Sequence, residues 1–211
     1  MISFIIPAYD EERYIGKTLA YIPDEFEKIV VCNCCTDSTY NLAKKYARVL
    51  NLSEKNVSKA RNLGAMVAKN NFLVFLDADT RLSKKAYESL LRLKEKNVVG
   101  TFKVKFNKNT FSSNFYSMIK NIFPYFKLHN ASGVIFCSRK IFDLSGGFNE
   151  NSIKHENHEF TERAKKHGAY YYSRNYVVTS ARRYEKLGYM KILLYWIKEM
   201  LIGNKEYPSI R

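Results

Sequence analysis

The chain has 211 residues, 46% of them apolar and 15% aromatic, enough to bury one substantial core, either as a single domain or as two halves sharing it. Lys and Arg number 35 against 20 Asp and Glu, and the resulting formal charge of +15 calls for an anionic partner: nucleic acid, an acidic lipid surface or a phosphorylated substrate. The basic residues are scattered through helical segments such as LAKKYAR and RLKEKN, with no arginine-rich tail or nucleic-acid module, so no nucleic-acid partner is expected. No run is apolar for long enough to span a bilayer, and the 4 cysteines show neither a disulfide framework nor spaced zinc-ligand pairs.

The opening MISFIIPAYDEE starts at once with a strand-like run and carries no charged leader. No signal peptide is therefore expected, and the cytoplasm is the expected compartment. Ile2 to Ile6 reads as a strand stopped by Pro7, followed by apolar residues at helical spacing from Tyr14 to Tyr21. KIVVCN, ending at Asn33, is a second strand, and Thr36-Asp37-Ser38-Thr39 caps a helix through YNLAKKYARVL. Cys32, Cys34 and Cys35 read as small buried thiols at that strand's end. A short strand near Val49 to Leu52 and a helix SKARNLGAMVAKN precede the apolar run Phe72 to Leu76, which reads as a buried strand. Ser83 caps KKAYESLLRLKEK.

After Asn97 the rhythm changes. VVGTFKVKF alternates as a strand, SSNFYSMIKNIFPYFKLH reads as an aromatic helix broken near Pro124, and GVIFCSR is a further strand. Gly146-Gly147 closes the helix KIFDLS, and HENHEFTERAKKHG reads as a helix ending at Gly168. AYYYSRNYVVTS is a strand and LGYMKILLYWIKEMLIG a final amphipathic helix. Alternating strands and helices without a linker imply an α/β fold with a mixed sheet and one core, binding ligands beyond the carboxyl ends of its strands. Asp10 and Glu11, Asn33 and Asp37, and Asp77 and Asp79 all fall at such ends.

Asp77 and Asp79 are two residues apart where a buried strand emerges, so an extended chain projects both to one side. A hard divalent cation such as magnesium would relieve their repulsion and bridge to substrate phosphates. Alone, Asp77-Ala78-Asp79 reads more readily as an acidic turn before the helix capped by Ser83, and its position after a buried strand reverses that preference. HENHE is not a zinc-protease motif, because its histidines are three residues apart and not four.

The blocks FIIPAYDEERYI, CTDST, KARNLGAMVAKNNFLVFLDADT, and GGFNE with HENHEFTERAKKHG resemble, in order and spacing, the family 2 glycosyltransferases of the GT-A fold, over residues 2 to about 183. The resemblance implies a Rossmann-like, mainly parallel sheet flanked by helices on both faces. It also implies a nucleoside-diphosphate sugar as donor, magnesium or manganese as cofactor, and inverting transfer to an acceptor hydroxyl. One GT-A domain over 1–211 then divides into a nucleotide-sugar half at 1–97, an acceptor half at 98–187 and the C-terminal helix at 188–211.

Carried over by position, Pro7, Ala8, Tyr9 and Glu11 border the nucleoside, with Glu11 near the ribose. Asn33 stands where the family often reads the base with an aspartate, so the base stays open. Arg61 and Asn62 are partners for diphosphate or for the site's carboxylates. Asp77, Ala78 and Asp79 line the diphosphate, with Asp77 and Asp79 as metal ligands. Arg182 and Arg183 sit where the family places basic residues near the diphosphate. The family's late Glu-Asp is Glu156-Asn157 here, and an amide cannot take the acceptor's proton, so the base role passes to Glu156, with Glu159 as second choice. Glu156 alternatively only caps its helix.

The acceptor is a glycan, a lipid-linked or a small molecule. The final helix, with Ile192, Leu193, Tyr195, Trp196, Ile197, Met200 and Leu201 among lysines, reads either as a peripheral contact with an anionic membrane at the inner face of the cell membrane, joined there by the aromatic stretch FYSMIKNIFPYF, or as a core or homodimer helix. Two other readings are a degenerate member that binds nucleotide sugar or glycan without turnover, and a nucleotidyltransferase. The latter usually carries a glycine-rich basic loop after its first strand, which PAYDEERYIG lacks.

Overall fold

In a computed structural model of the chain, the residues described are 1–122, 133–152 and 155–202, with side chains to residue 195 in the last helix. Among the described residues, eight strands form one mixed sheet: β1 (Ile2–Ala8), β2 (Glu27–Asn33), β3 (Arg48–Leu52), β4 (Phe72–Leu76), β5 (Thr80–Leu82), β6 (Val98–Phe106), β7 (Val134–Ser138) and β8 (Ala169–Thr179). Their order is β3-β2-β1-β4-β7-β6-β8-β5. The first four sequential strands pair in parallel, β7 runs antiparallel to both β4 and β6, and β8 is parallel to β6 and antiparallel to β5.

Side-chain alternation decides which helices cover which face. Phe4, Ile6, Val30, Cys32, Phe72, Val74 and Leu76 pack on one side with α1 (Ile15–Ala20) and α4 (Lys84–Leu93). Ile5, Leu73 and Phe75 pack on the other with α3 (Val57–Val67), α6 (Arg139–Leu144) and α7 (Glu156–Ala164). Strands β1 and β4 are buried at every position, as central strands covered on both faces must be. Ser83 caps α4 as expected, its Oγ accepting from the Ala86 N–H.

Several boundaries move. Strand β1 continues through Pro7, which pairs with Val31; the β4 pairing has already ended at Ile5, so a residue without an N–H is tolerated there. Helix α2 (Thr39–Ala43) is far shorter than expected, because the chain must turn at once to enter β3. Helix α7 stops at Ala164, and Gly168 lacks the left-handed backbone of a helix-ending glycine. Gly168 is small because a Cβ would meet Ile141 Cδ1 at 2.4 Å and the Asn97 carbonyl at 2.7 Å. Cys34 is exposed with φ 63°, and Cys35 is half-buried, so of the three neighbouring thiols only Cys32 is buried.

Helix α5 (Phe111–Ile122) lies beside β6, and the expected break at Pro124 lies outside the described residues. A short helix α8 (Arg182–Leu187), absent from the sequence reading, precedes α9 (Tyr189–Ile202). Ile192 and Leu193 of α9 turn inward with Phe106, Tyr116, Ala181 and Tyr184 as a small separate core, so these two do not form a membrane face. Trp196, Ile197, Met200 and Leu201 lie outside the described side chains.

Gly100 sits where β6 is squeezed between β7 and β8: a Cβ there would meet the Tyr171 carbonyl oxygen at 2.1 Å and the Phe136 ring at 2.7 Å. Gly100→Ala should lower Tm in a calorimetric scan by roughly 5–10 °C through overpacking against backbone. Gly16→Ala, where a Cβ meets nothing within 4 Å, should leave it unchanged or raise it.

Candidate active site

The end of β4 fixes the geometry. The Asp77 N–H donates to the Gly133 carbonyl at 2.9 Å, and the Thr80 N–H donates back to the Asp77 carbonyl at 3.0 Å, so Asp77-Ala78-Asp79 is a tight turn. Ala78 is buried, and its carbonyl accepts from the Thr18 hydroxyl of α1 at 2.7 Å. The turn is thus pinned on both sides, and its two carboxylates have little freedom to separate.

Each aspartate meets one arginine, and each arginine holds a second carboxylate from elsewhere in the chain. Arg61, only 5% exposed on α3, reaches Asp77 Oδ1 with Nη2 at 3.4 Å and Glu156 Oε1 with Nη1 at 3.1 Å. Its guanidinium also lies 5.0 Å from the Phe148 ring centre. Arg182 reaches Asp79 Oδ2 with Nε at 3.5 Å, pairs closely with Glu11, and lies 4.7 Å over the Tyr14 ring. The Thr80 and Thr179 hydroxyls, 2.9 Å apart, each lie 3.4 Å from Asp79 Oδ1.

Among the described residues, Asp77 and Glu156 share the Arg61 guanidinium, and Asp79 and Glu11 share that of Arg182. Asp77 is 43% exposed and can lean on water, whereas Asp79 is 15% exposed. Burial, and then the Asp77 charge, push the Asp79 carboxyl up to about 7 against the pull of Arg182. The residues therefore suit a hard divalent cation. They are hard oxygen donors, and the repulsion between Asp77 and Asp79 is otherwise relieved by taking up a proton.

The other candidates from the sequence fall into distinct places. Glu159 accepts from Asn149 Nδ2 and from the Ser152 hydroxyl, each at 3.2 Å, and so faces its own preceding loop. Asn62 clasps that loop: its Oδ1 accepts from the Phe148 N–H, while its Nδ2 donates to the Phe148 carbonyl and to Glu150, all at 2.9 Å. Asn33 is buried, and its Oδ1 accepts from the Asn56 N–H at 2.7 Å, which positions the first turn of α3. Tyr9 lies under the Lys55 ammonium, 3.9 Å from its ring centre, and the Ala8 carbonyl at the end of β1 accepts from the Cys35 thiol at 3.3 Å. Pro7 is buried in the strand beside them. Arg183 lies within electrostatic reach of Tyr116.

Asp10 and Asp37 do not join the acidic pair. Asp10 accepts from the Thr36 and Asp37 N–H groups, and Asp37 accepts from the Glu12 and Thr39 N–H groups, so the two acids lace the turns after β1 and β2 together. With Cys35 they bring three ligand-type atoms within 4.8 Å of one another, but their oxygens already serve backbone donors. Sequence reasoning missed Tyr14, Thr18 and Thr179. No local pattern marks them, because each acts through a segment brought in by tertiary folding.

Known proteins share this framework. The family model described as Glycosyl transferase family 2 matches residues 3–166. The poly(ribitol-phosphate) beta-N-acetylglucosaminyltransferase TarS of Staphylococcus aureus is 33% identical over 95 residues, covering 39% of this chain and 17% of that protein. Glycosyltransferase GlyA of Streptococcus pneumoniae is 29% identical over 101 residues, covering 43% of this chain and 14% of that one. The matched stretch is thus a small part of either relative's length. The crystal structure of TarS 1-349 superposes with a TM-score of 0.65 at 20% identity, over 93% of this chain and 65% of that one. Its complex with UDP-GlcNAc gives 0.64 at 22%, over 85% and 58%. The structural likeness is one of fold.

The raised Asp79 carboxyl has a defined sign. The folded protein holds a proton that the unfolded chain, with an ordinary aspartate near about 4, has released, so this group's contribution to stability falls as pH rises from about 4 to about 7 and then levels. In metal-free protein, the Tm advantage of Asp79→Asn over wild type should be smallest near pH 4, grow to pH 7 and stay constant above it. A difference independent of pH in calorimetry would contradict this.

Proposed function

Because the chain belongs to glycosyltransferase family 2, we propose that it transfers a sugar from a nucleoside-diphosphate sugar to an acceptor hydroxyl with inversion at the anomeric carbon. The observation that carries this reading is Arg61, whose buried guanidinium ties Asp77 at the end of β4 to Glu156 at the start of α7. Two carboxylates 79 positions apart in sequence, the difference between 156 and 77, are thereby placed on one group. One of them suits a diphosphate site and the other an acceptor.

Asp77 and Asp79 would hold the divalent cation, which would supply positive charge against the diphosphate as it departs. The chain's own residues carry the remaining work. Arg182 lies over Tyr14 between Asp79 and Glu11, so it can exchange a carboxylate for a phosphate oxygen without leaving the site. Glu11, with its N–H bound to the Thr39 hydroxyl at 2.7 Å, presents its carboxylate beside the strand end for ribose hydroxyls. Pro7, Ala8 and Tyr9 form the neighbouring wall, and Asn33, its oxygen occupied by Asn56, offers the amide N–H₂ toward a base carbonyl.

Glu156 is the base. Its carboxylate is held 3.1 Å from Arg61 at the first turn of α7, and it takes the acceptor's proton as the new glycosidic bond forms. The guanidinium fixes where that carboxylate sits. Glu159 is the weaker candidate, since its two oxygens already accept from Asn149 and Ser152. The donor panel should begin with UDP-sugars, given the UDP-GlcNAc complex of TarS, and the acceptor panel with glycans and lipid-linked hydroxyls.

With a turning-over donor and acceptor pair, Glu156→Gln should lower kcat by about 100-fold or more while leaving donor KM within about threefold. Glu159→Gln should lose much less. Wild-type kcat in Glu156→Gln, measured by release of nucleoside diphosphate with product confirmed by mass spectrometry, would remove the proposed base.

A further inference from the structure

Helix α5 is apolar on both sides. Its inner side buries Tyr116 and Ser117 against β6 and the small core of α8 and α9. Its outer side carries Phe111, Phe115, Met118 and Ile122 at the i, i+4, i+7, i+11 spacing of one helical face, 85%, 44%, 52% and 42% exposed. The Phe111 and Phe115 rings stack in parallel with their centres 6.2 Å apart. Met190 and Leu194, one turn apart on the packed neighbour α9, add two more exposed apolar side chains, 63% and 58% exposed. A helix whose buried side is already satisfied gains nothing in folding from a second apolar stripe, and among the described residues the stripe stays exposed, as a docking face would.

Charge indicates which partner. Between Glu95 and Asp143 the sequence contains no carboxylate side chain, while Lys103, Lys105, Lys108 and Lys120 all fall within it. The neighbouring helices add exposed Lys186 and Lys191, and the nearby Glu185 is partly answered by Lys108 at 3.7 Å. An aromatic and aliphatic stripe in a segment without carboxylates, next to helices that expose Lys186 and Lys191, is the composition that inserts between lipid headgroups and is drawn there by anionic ones. A protein partner would more often be met by a rim of both signs.

We propose that the outer face of α5, with Met190 and Leu194 of α9, docks this protein on an anionic lipid surface. Helix α8 joins that face to the site, because Arg182 begins the helix and Tyr184 and Leu187 pack beneath α5. Docking would therefore hold the strand ends close to the headgroup plane, within reach of an acceptor carried by a lipid. The inference is independent of glycosyl transfer, and its test needs no substrate.

The test is flotation of the full chain with phosphatidylcholine vesicles, with and without phosphatidylglycerol. The protein should float only with the anionic vesicles, and 0.5 M salt should reduce the bound fraction by about tenfold or more. Phe111→Ser/Phe115→Ser/Met118→Ser should abolish flotation, and Lys186→Glu/Lys191→Glu should weaken it by about tenfold or more, both with unchanged circular dichroism and Tm. Failure of the folded wild type to float, or flotation that both variants leave intact, would overturn the proposal. So would sedimentation showing a dimer that the triple variant dissociates while wild type ignores vesicles, since the stripe would then serve a second copy.

Discussion

The structure depends on a like-charge conflict held in place at the end of a buried strand. Strand β4 delivers Asp77 and Asp79 into a turn pinned by the Gly133 and Ala78 carbonyls, so the two acids cannot move apart. Water can attend to Asp77 but barely to Asp79, and the conflict is relieved by proton uptake on the latter. A cation would relieve it more completely, because a doubly charged ion attracts both carboxylates and a diphosphate as well. Two arginines moderate the conflict without removing it. Each brings in a further carboxylate, Glu156 or Glu11, and so recruits residues from the far parts of the chain.

This arrangement explains why polar groups accumulate where a core could have been simpler. Arg61 is almost fully buried and still makes two ion pairs, an expensive placement unless both partners are needed there. Phe148 covers its guanidinium face, and Asn62, the next residue in α3, grips the Phe148 backbone from both directions. One turn of α3 thus holds the end of β4 through Arg61 and the loop that leads to α7 through Asn62. The two halves of the chain are joined by adjacent residues of a single helix.

Much of this was legible in the sequence. Alternating strands and helices up to Leu93, the buried run before Asp77 and the Ser83 cap follow from local pattern, and the structure reproduces them. The failures share a cause. Strand β5 is three residues long and exists only because β8 arrives beside it, and α2 ends where β3 requires the chain to turn. Asp10 and Asp37 look like site residues by position, yet they accept backbone N–H groups in each other's turns, a pairing decided by two loops meeting in space. Asn62 and Asn33 also hold backbone, a structural duty that local pattern does not reveal. The double role of Arg61 could not be seen, because its second partner is 95 residues away.

The central claim is that the aspartate pair forms a cation site completed by diphosphate. Isothermal titration of manganese into protein saturated with UDP tests it directly. The account predicts one saturable site, lost in Asp77→Ala and in Asp79→Ala but kept in Glu156→Gln, which lies on the far side of Arg61. Equal manganese binding by wild type and both aspartate variants, or none by any of them, would contradict it.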